Sequence, residues 1–283
     1  MKKHIRALAV LLLVLSLFTA MGVTSVFAAE TESVSTPETL TEATTETVVE
    51  TVVDLKTEWK YLDDDTDPAE GLSSLQAWTL PSFDDSAWQS GLGAFGTKNG
   101  VTTGMTSYGA GNPVTPLNLY SESNTTKVIS TYYFRTTFEI DNAESVTALD
   151  FDISADDAPI VYINGNIVFD GRTSIPEAAA TTNKYYASAS MINKAVSLTA
   201  EQLSGVLVDG VNRLAVEVHN NQQGSSDAYF AIKTMTVTFT EEIDLTGTYS
   251  DILDSSAVWK YLDDDTDPAE GLSSLQAWTL PSF

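Results

Sequence analysis

The chain has 283 residues, of which 43% are hydrophobic, and its formal net charge is −25. This apolar content is enough for one well-packed domain with appendages. The acidity argues against nucleic acid as a partner, because phosphate binding needs clustered Lys and Arg. The absence of cysteine excludes disulfide scaffolds, thiol catalysis and Cys-based zinc sites. Only His4 and His219 are histidines, so a Ser-His-Asp triad would have to use His219, and no Gly-x-Ser-x-Gly elbow accompanies it.

The N-terminus has the composition of a secretory signal peptide. Basic residues precede the apolar run Ala7–Phe18, and the small residues Ala28 and Ala29 follow it. A membrane span needs about 20 apolar residues, and this run is shorter. Residues 1–29 are therefore predicted to be a cleaved signal peptide, which predicts a secreted or cell-surface protein without membrane insertion after cleavage.

Residues 30–55 are dominated by Thr and Glu with scattered Val, and they contain no aromatic residue. A segment with so little to bury and so much like charge is expected to stay extended. We predict a disordered acidic linker here, acting as a spacer ahead of the folded domain.

Period-two alternation of apolar and polar residues, which is typical of half-buried strands, recurs along residues 56–242. This region is the predicted folded domain. Its strand signals are Tyr132–Ile140, the alternating Leu149, Phe151 and Ile153, the run 160–169, the alternating Leu214, Val216 and Val218, and Tyr229–Phe239, in which Ala231, Met235, Val237 and Phe239 are expected to share a face.

The connections support an all-β fold. Asn164-Gly165 between apolar runs predicts a tight hairpin, because both turn positions require positive φ. Helical pattern is scarce, and Thr199 to Gln202 has the spacing of a capping box that opens one short turn. Residues 91–118 are rich in Gly, Thr, Asn and Pro without periodicity, which indicates a long functional or mobile loop. The predicted fold class is an antiparallel β-sandwich or jelly roll.

One stretch of the chain is duplicated. Trp59–Phe83 recurs without change as Trp259–Phe283, and a fixed long period is typical of repeat arrays. We expect residues 259–283 to be an incomplete second copy of the domain start, joined by a linker at 243–258. The second copy should be poorly ordered or compete with the first for one place, within a chain or between two, which makes self-association possible. Deleting residues 255–283 should then leave the fold intact and reduce association.

Several motifs in order resemble the galactose-binding-like β-sandwich modules of bacterial secreted proteins. These modules form the sugar-binding domain of large β-glycosidases and accompany extracellular phosphoesterases. The resemblance spans Trp59 to about Phe239 and implies a jelly roll whose ligand is not set by its fold. The motifs that carry it are Phe83–Trp88, Tyr133–Phe138, Ala155-Asp156-Asp157 before Val161–Gly165, and Gly210–His219.

Candidate ligand-binding residues follow from chemistry and from this resemblance. Aromatic faces stack on sugar rings while polar groups bind hydroxyls; Trp59 and Trp88 are interpreted as core anchors, whereas Trp78 is a candidate. Asp156 and Asp157 lie, by the resemblance, at a strand end near the usual ligand edge, although Asp also caps turns. The predicted ligand-binding set is Trp78, Asp156, Asp157, Asn164, His219 and Asn220.

His219 ends a strand pattern that also carries Arg213 and Glu217. A lone histidine at a strand end is commonly a hydrogen-bonded structural residue, and a sugar contact is the functional alternative. As a general base it would lack a visible nucleophile or partner.

The acidic run after Trp59 raises the question of calcium. Asp63, Asp65 and Asp67 have the every-second-residue spacing that begins a calcium loop, but Pro68 stands where an EF-hand needs Gly and Ser74 where it needs Glu. An EF-hand is excluded. An irregular structural Ca²⁺ site and a solvated turn both remain open.

The sequence thus predicts a secreted, non-catalytic carbohydrate-binding or accessory module of a larger extracellular protein. Two alternatives come from other classes. The chain could be the N-terminal fragment of a secreted hydrolase, a metallophosphoesterase or a glycosidase, whose catalytic domain is elsewhere. It could also be a structural or adhesive repeat of a surface array.

Overall fold

The computed structural model describes residues 39–40, 44–178, 183–243 and 247–248. The predicted signal peptide and the second copy of the duplicated stretch lie outside these residues. No helix within the described ranges has the length and apolar character of a membrane span.

The described elements are mostly strands. They are β1 Thr39–Leu40, β2 Thr44–Asp54, β3 Glu58–Leu62, β4 Gln89–Leu92, β5 Phe95–Lys98, β6 Thr115–Pro116, β7 Tyr120–Ser121, β8 Asn124–Val128, β9 Thr131–Ile140, β10 Val146–Asp156, β11 Ala158–Ile163, β12 Asn166–Asp170, β13 Ile192–Thr199, the helix α1 Ala200–Leu203, β14 Gly210–His219, β15 Asp227–Ile243 and β16 Gly247–Thr248. Residues 41–245 form one compact unit, and β1 pairs with β16 in a separate one.

Two six-stranded sheets make up the domain. The first sheet has the order β12-β11-β14-β9-β3-β4, and the second has the order β13-β10-β15-β5-β6 with β2 also paired to β15. Neighbouring strands are antiparallel except for the short β5–β6 pair. The predicted antiparallel β-sandwich is confirmed.

Alternation along the strands places the core between the two sheets. Phe134 and Phe138 from β9 meet Phe151 from β10 and Met235 from β15 in one buried cluster. At its centre the Phe134 ring lies 4.3 Å from the Phe230 ring, measured between centroids. These are the faces that the period-two pattern predicts.

The outer face of the first sheet is buried as well, which alternation alone does not predict. Trp78 and Trp88, from the segment between β3 and β4, pack with Tyr133 on this face. Trp59 instead belongs to the core between the sheets. The interpretation of Trp59 and Trp88 as core anchors is confirmed, because both side chains are buried.

Arg135 fastens this covering segment to the sheet. Its guanidinium is fully buried, and its Nε donates to Asp85 Oδ2 at 2.7 Å. The two remaining nitrogens donate to the backbone carbonyls of Trp78, Leu80 and Phe83. Burial lowers the pKa of the guanidinium, and the hydrogen bond to Asp85 opposes that effect.

The two local turn predictions are confirmed. Asn164 and Gly165 have φ of 50° and 86° and connect β11 to β12. A Cβ on Gly165 would also come within 2.6 Å of the Leu80 side chain. Thr199 and Gln202 form the predicted capping box at α1.

The predicted disordered linker is wrong over residues 44–54. These residues form β2, which pairs antiparallel with β15 from Thr44↔Ile243 to Asp54↔Thr234. Val53 is buried in the core. The Thr/Glu composition hid an edge strand, which buries Val53 in the core and leaves Glu46 and Glu50 exposed.

Two further expectations are corrected by irregular backbone. Ala231 does not share the core face of Met235 but packs with Tyr108 outside the sandwich core. The cause is a register shift opposite Asp152 and Ile153, which reverses side-chain direction along β15. Residues 91–118 are not one loop, since they contain β5 and β6.

Candidate functional site

Four polar side chains meet where β10 ends and β15 begins. We call Tyr108, Asp156, Asp157 and Asp227 the strand-end cluster. Asp156 is the last residue of β10, and Asp227 is the first residue of β15. Because these strands are antiparallel neighbours, the end of one lies beside the start of the other. Tyr108 arrives from the segment between β5 and β6.

Hydrogen bonds hold the strand-end cluster together. The Tyr108 hydroxyl donates to Asp227 Oδ2 at 2.5 Å and lies 3.4 Å from Asp156 Oδ2. The backbone N–H of Asn221 donates to Asp157 Oδ2 at 2.8 Å. Lys98 Nζ lies 3.8 Å from Asp227 Oδ2 at the exposed rim. The charge of Lys98 therefore offsets only part of the negative charge of the three carboxyl groups in the cluster.

The closeness of these carboxyl groups and their burial change the protonation of Asp156 and Asp157. Burial, followed by the charge of Asp157, raises the pKa of Asp156 to about 8. Burial also raises the pKa of Asp157, although its hydrogen bonds to Asp156 and Asn221 oppose the effect. At neutral pH the Asp156–Asp157 pair therefore holds a proton, which offers a bound ligand both a donor and an acceptor.

We expect the domain to lose stability as pH rises from about 4 to about 8. The folded state holds a proton at Asp156 that the unfolded state releases near pH 4, so stability is complete below that value and declines through the folded pKa. Asp156 itself is partly exposed, so solvent screening reduces the effect from the ideal 1.4 kcal/mol per pH unit to a total loss of about 1–2 kcal/mol. Urea unfolding at several pH values across this range measures the free energy of unfolding and so the decline.

The matched variants for this test are Asp156→Asn and Asp141→Asn. The first should flatten the decline, because an amide stays neutral and can still donate to Asp157. The second changes an exposed aspartate elsewhere in the domain and should keep the decline of stability with pH. An unchanged decline in the Asp156→Asn variant would show that another group carries it.

A shallow groove lined by polar and apolar residues crosses the outer face of the second sheet next to this cluster. Its main part has a volume of about 230 Å³ and spans β10, β13 and β15. A second part of about 200 Å³ adjoins it and shares Asp152 and Ala195 with it. We call this the sheet groove. The polar side chains along its main part are Asp150, Asp152, Ser197, Thr234 and Thr236.

The loop that carries Tyr108 also closes one end of the sheet groove. Gly109 lines the groove, and a Cβ there would come within 1.9 Å of Ser154 Oγ. Only glycine lets this loop lie so close to the sheet. Ser154 in turn donates to Asn193 Oδ1 at 2.6 Å. The sheet groove therefore adjoins the strand-end cluster, and we call the two together the polar surface, in which the Tyr108 and Asp157 side chains are buried.

Two of the predicted ligand-binding residues are fully buried. His219 Nδ1 lies 3.0 Å from both Thr131 Oγ1 and the carbonyl of Lys184, and the Tyr186 ring packs edge-on against the imidazole. Asn220 donates to the carbonyl of Ile129. Both residues tie strand ends to neighbouring segments, which agrees with the structural interpretation of His219.

Asn164 and Trp78 also have structural positions. Asn164 accepts from the N–H of Arg213 and donates to Asn212 Oδ1, so it joins the hairpin to β14. Trp78 is 1% exposed, and its ring centroid lies 5.0 Å from Tyr133 and 5.8 Å from Tyr162. Neither of its ring faces is presented to a ligand.

The aspartates of the acidic run after Trp59 each accept hydrogen bonds from different residues. Asp63 accepts from Gln89 and from the N–H of Asn118, and Asp65 accepts from Ser130. Asp67 accepts from the N–H of Ala69 two residues on. In the part of the chain that the structure describes, no group of three or more His, Cys, Asp or Glu side chains is arranged to hold a metal ion. Calcium binding by Asp63, Asp65 and Asp67 stays a prediction.

Of the predicted site residues, the structure therefore brings only Asp156 and Asp157 into the polar surface. Sequence reasoning missed Tyr108 and Asp227, which reach the cluster from distant segments. It also missed the groove residues, although their signal was present. The polar members of the alternation in β10 and β15 mark one face, and those residues line it.

Comparison with known proteins gives matches only to solved structures. No family model and no curated protein matches the chain. A β-glucuronidase of Bacteroides uniformis is 18% identical with a TM-score of 0.37, covering 69% of this chain and 18% of that one. A family 2 glycosyl hydrolase of Bacteroides cellulosilyticus is 17% identical with a TM-score of 0.32, covering 68% of this chain and 20% of that one. The β-glucuronidase of Ruminococcus gnavus is 10% identical with a TM-score of 0.35, covering 68% and 29%.

The chain thus spans less than a third of the length of these glycosidases. The β-sandwich is confirmed by the strands themselves, and the likeness to galactose-binding-like modules stays a resemblance.

Proposed function

We propose that the chain is a secreted, non-catalytic module that binds carbohydrate, or serves as an accessory domain, within a larger extracellular or cell-surface protein. The observation that carries this proposal is the polar surface formed by the sheet groove and the strand-end cluster. Its groove is open, is built on three adjacent strands of one sheet, and presents both polar side chains and apolar surface.

The chemistry of this surface suits a hydroxyl-rich ligand. Hydroxyl groups of Ser197, Thr234 and Thr236 both donate and accept hydrogen bonds, and carboxylates of Asp150 and Asp152 accept them. Sugar hydroxyls have the same dual capacity. Side chains that project from neighbouring strands stand at regular spacings, so an extended saccharide can contact several of them at once.

The non-catalytic part of the proposal is supported by where the ionisable groups lie. Glu217 and His219 are fully buried, and the Tyr162 hydroxyl donates to Glu217 Oε1 at 2.7 Å. Substrate cannot reach them. Asp156 and Asp157 are adjacent in sequence and engage one another, whereas glycoside cleavage needs two carboxyl groups placed on either side of the scissile bond.

A glycan array with the full chain, followed by calorimetry on the best glycan, tests the proposal. We expect the double variant Asp150→Ala/Thr236→Val to weaken that binding roughly tenfold or more, because two groove hydrogen bonds are lost. Thr137→Val/Glu139→Ala is the matched control, since these residues are exposed on the other sheet, and it should bind normally.

Two results would each overturn one part of the proposal. Absence of binding to plant, host and cell-wall glycans would leave only the accessory role. Turnover of a glycoside or a phosphate ester by the purified chain would overturn the non-catalytic assignment.

A further inference from the structure

Side chains from three strands form one row across the sheet groove. Asp150 on β10 stands directly opposite Ser197 on β13 and directly opposite Thr236 on β15. All three residues line the main part of the groove. Residues paired across neighbouring strands point to the same side of a sheet, and such strands lie about 4.8 Å apart. One carboxylate therefore stands between two hydroxyl groups, and we call these three residues the central row.

The line of the central row continues onto β2. Thr51 stands opposite Thr236 there, and its side chain is exposed. Four adjacent strands thus present a polar side chain along one line of about 14 Å that runs across the strands. A line of this length suits several consecutive units of an oligosaccharide better than a single sugar.

The second aspartate of the groove, Asp152, is already paired with a cation. Lys233 Nζ lies 3.6 Å from Asp152 Oδ2, and the two side chains are 39% and 40% exposed. A register shift brings Lys233 to this place. Asp152 stands opposite Thr234 while Ile153 stands opposite Ile232, so Lys233 is the extra residue of a bulge. The charge of Asp152 is therefore offset within the protein.

The Asp150 carboxylate differs from that of Asp152 in this respect. Among the residues that the structure describes, no Lys, Arg or His nitrogen lies within 4.0 Å of it. The residues that line the main part of the groove include no basic side chain. Lys194 lines the adjoining part, but its Nζ lies 5.2 Å from the centre of the Phe169 ring, towards the first sheet. The central row therefore presents a negative charge that its surroundings do not offset.

A primary ammonium group has the chemistry that complements the central row. It carries three N–H donors and no acceptor. The Asp150 carboxylate and the hydroxyl oxygens of Ser197 and Thr236 supply acceptors from three adjacent strands. Hydrogen bonds between a cation and a carboxylate are about twice as strong as those between neutral groups. An N-acetylated amine has one N–H and no charge, and the carboxylate of Asp150 repels a uronate or a sulfate.

We propose that the central row binds a protonated amine of the ligand, so that the module selects saccharides with free amino groups. The proposal rests on the carbohydrate-binding function given above and names its ligand class. Further sugar units lie along the same line towards Thr51, and apolar surface at Ala195 and Val196 contacts the carbon–hydrogen face of a ring. Asp150 and the net charge of −25 both disfavour anionic saccharides.

Two oligosaccharides that differ only at the amine test the proposal. Calorimetry measures binding of the full chain to the hexamer of glucosamine and to the hexamer of N-acetylglucosamine. The titrations are made at about pH 6, where primary amines are protonated, and at about 0.15 M salt, which screens exposed charges beyond roughly 8 Å. We expect the glucosamine hexamer to bind roughly tenfold or more tightly than its acetylated counterpart. A hexamer of galacturonic acid should not bind.

Three charge-changing variants locate the amine. Asp150→Asn keeps the size of the side chain but removes its charge, so the two hexamers should bind with affinities within about twofold of each other. Lys233→Met leaves the Asp152 carboxylate unpaired, so the preference for the glucosamine hexamer should rise by roughly threefold. Glu139→Gln is the matched control, because it removes the same charge from an exposed position on the other sheet, and it should keep the preference.

The outcomes separate the proposal from the function on which it rests. Equal loss of preference in Asp150→Asn and Glu139→Gln would overturn the proposal, since general attraction to an acidic chain would explain the binding. Equal binding of the two hexamers, or of neither, would overturn the selection of amines. The proposed function would still stand if Asp150→Ala/Thr236→Val weakened the binding of a neutral glycan. Binding of tetralysine as tightly as the glucosamine hexamer would overturn the selection of saccharides.

Discussion

Replacing Arg135 by methionine is expected to lower the free energy of unfolding by about 3–5 kcal/mol, one of the two largest single effects in this domain. Methionine fills much of the volume but donates no hydrogen bond. Asp85 loses its closest partner, and the carbonyls of Trp78, Leu80 and Phe83 lose their donor in a buried setting. Urea unfolding followed by circular dichroism gives the difference.

The control for this variant is Arg213→Met. Arg213 Nη1 reaches the same Asp85 carboxylate at 3.3 Å, but its side chain is 19% exposed. This longer ion pair is partly reached by solvent and the Arg213 side chain holds no backbone carbonyl of the covering segment, so the expected loss is about 1 kcal/mol. Equal losses in the two variants would mean that Asp85 pairing, rather than the carbonyl contacts of Arg135, stabilises the segment over the first sheet.

The variant Asn212→Leu should lower the free energy of unfolding by about 3 kcal/mol. Asn212 is fully buried and uses its whole amide. Its Oδ1 accepts from Asn164 and from the N–H of Val208, while its Nδ2 donates to the carbonyls of Val208 and Gly210. Leucine has a similar size but removes all four hydrogen bonds, and of these partners Asn164 keeps a bond to the carbonyl of Val206.

Asn166→Leu is the matched control for that prediction. Asn166 lies in the same hairpin region, and its side chain makes only 3.4 Å contacts to the carbonyls of Ile163 and Asn164. We expect a change of less than about 0.5 kcal/mol. A loss below 1 kcal/mol in Asn212→Leu would show that the 206–212 turn finds other hydrogen-bond partners.

These two residues illustrate how the domain uses buried polar groups. Arg135 and Asn212 both satisfy backbone groups in segments that are not part of a sheet ladder. Such segments cover the first sheet or lead into its strands, and their carbonyls and N–H groups need partners when they are buried. The packing of the first sheet therefore depends on buried polar residues as well as on apolar ones.

The candidate site was predicted only in part. Asp156 and Asp157 were identified from a resemblance, whereas Asp227 and Tyr108 could not be placed beside them. Asp227 lies 71 residues beyond Asp156 in the sequence, and the two meet because β15 returns antiparallel to β10. Alternation shows which face a residue occupies but not which strand lies next to it.

By itself, the sequence determined the strands, the hairpin turn and the capping box. These are local features, set by period-two alternation in β9, β10 and β14, by the positive φ that Asn164 and Gly165 tolerate, and by side chains three residues apart at α1. Local sterics and local hydrogen bonds suffice for them.

Only the tertiary structure decided which polar residues are buried and which line a surface. Arg135 occupies a strand position that alternation assigns to solvent, and it is buried because the 63–88 segment folds over it. Residues 44–54 become an edge strand because β15 offers them a partner. Burial and pairing depend on segments distant in sequence, whose approach no local pattern records.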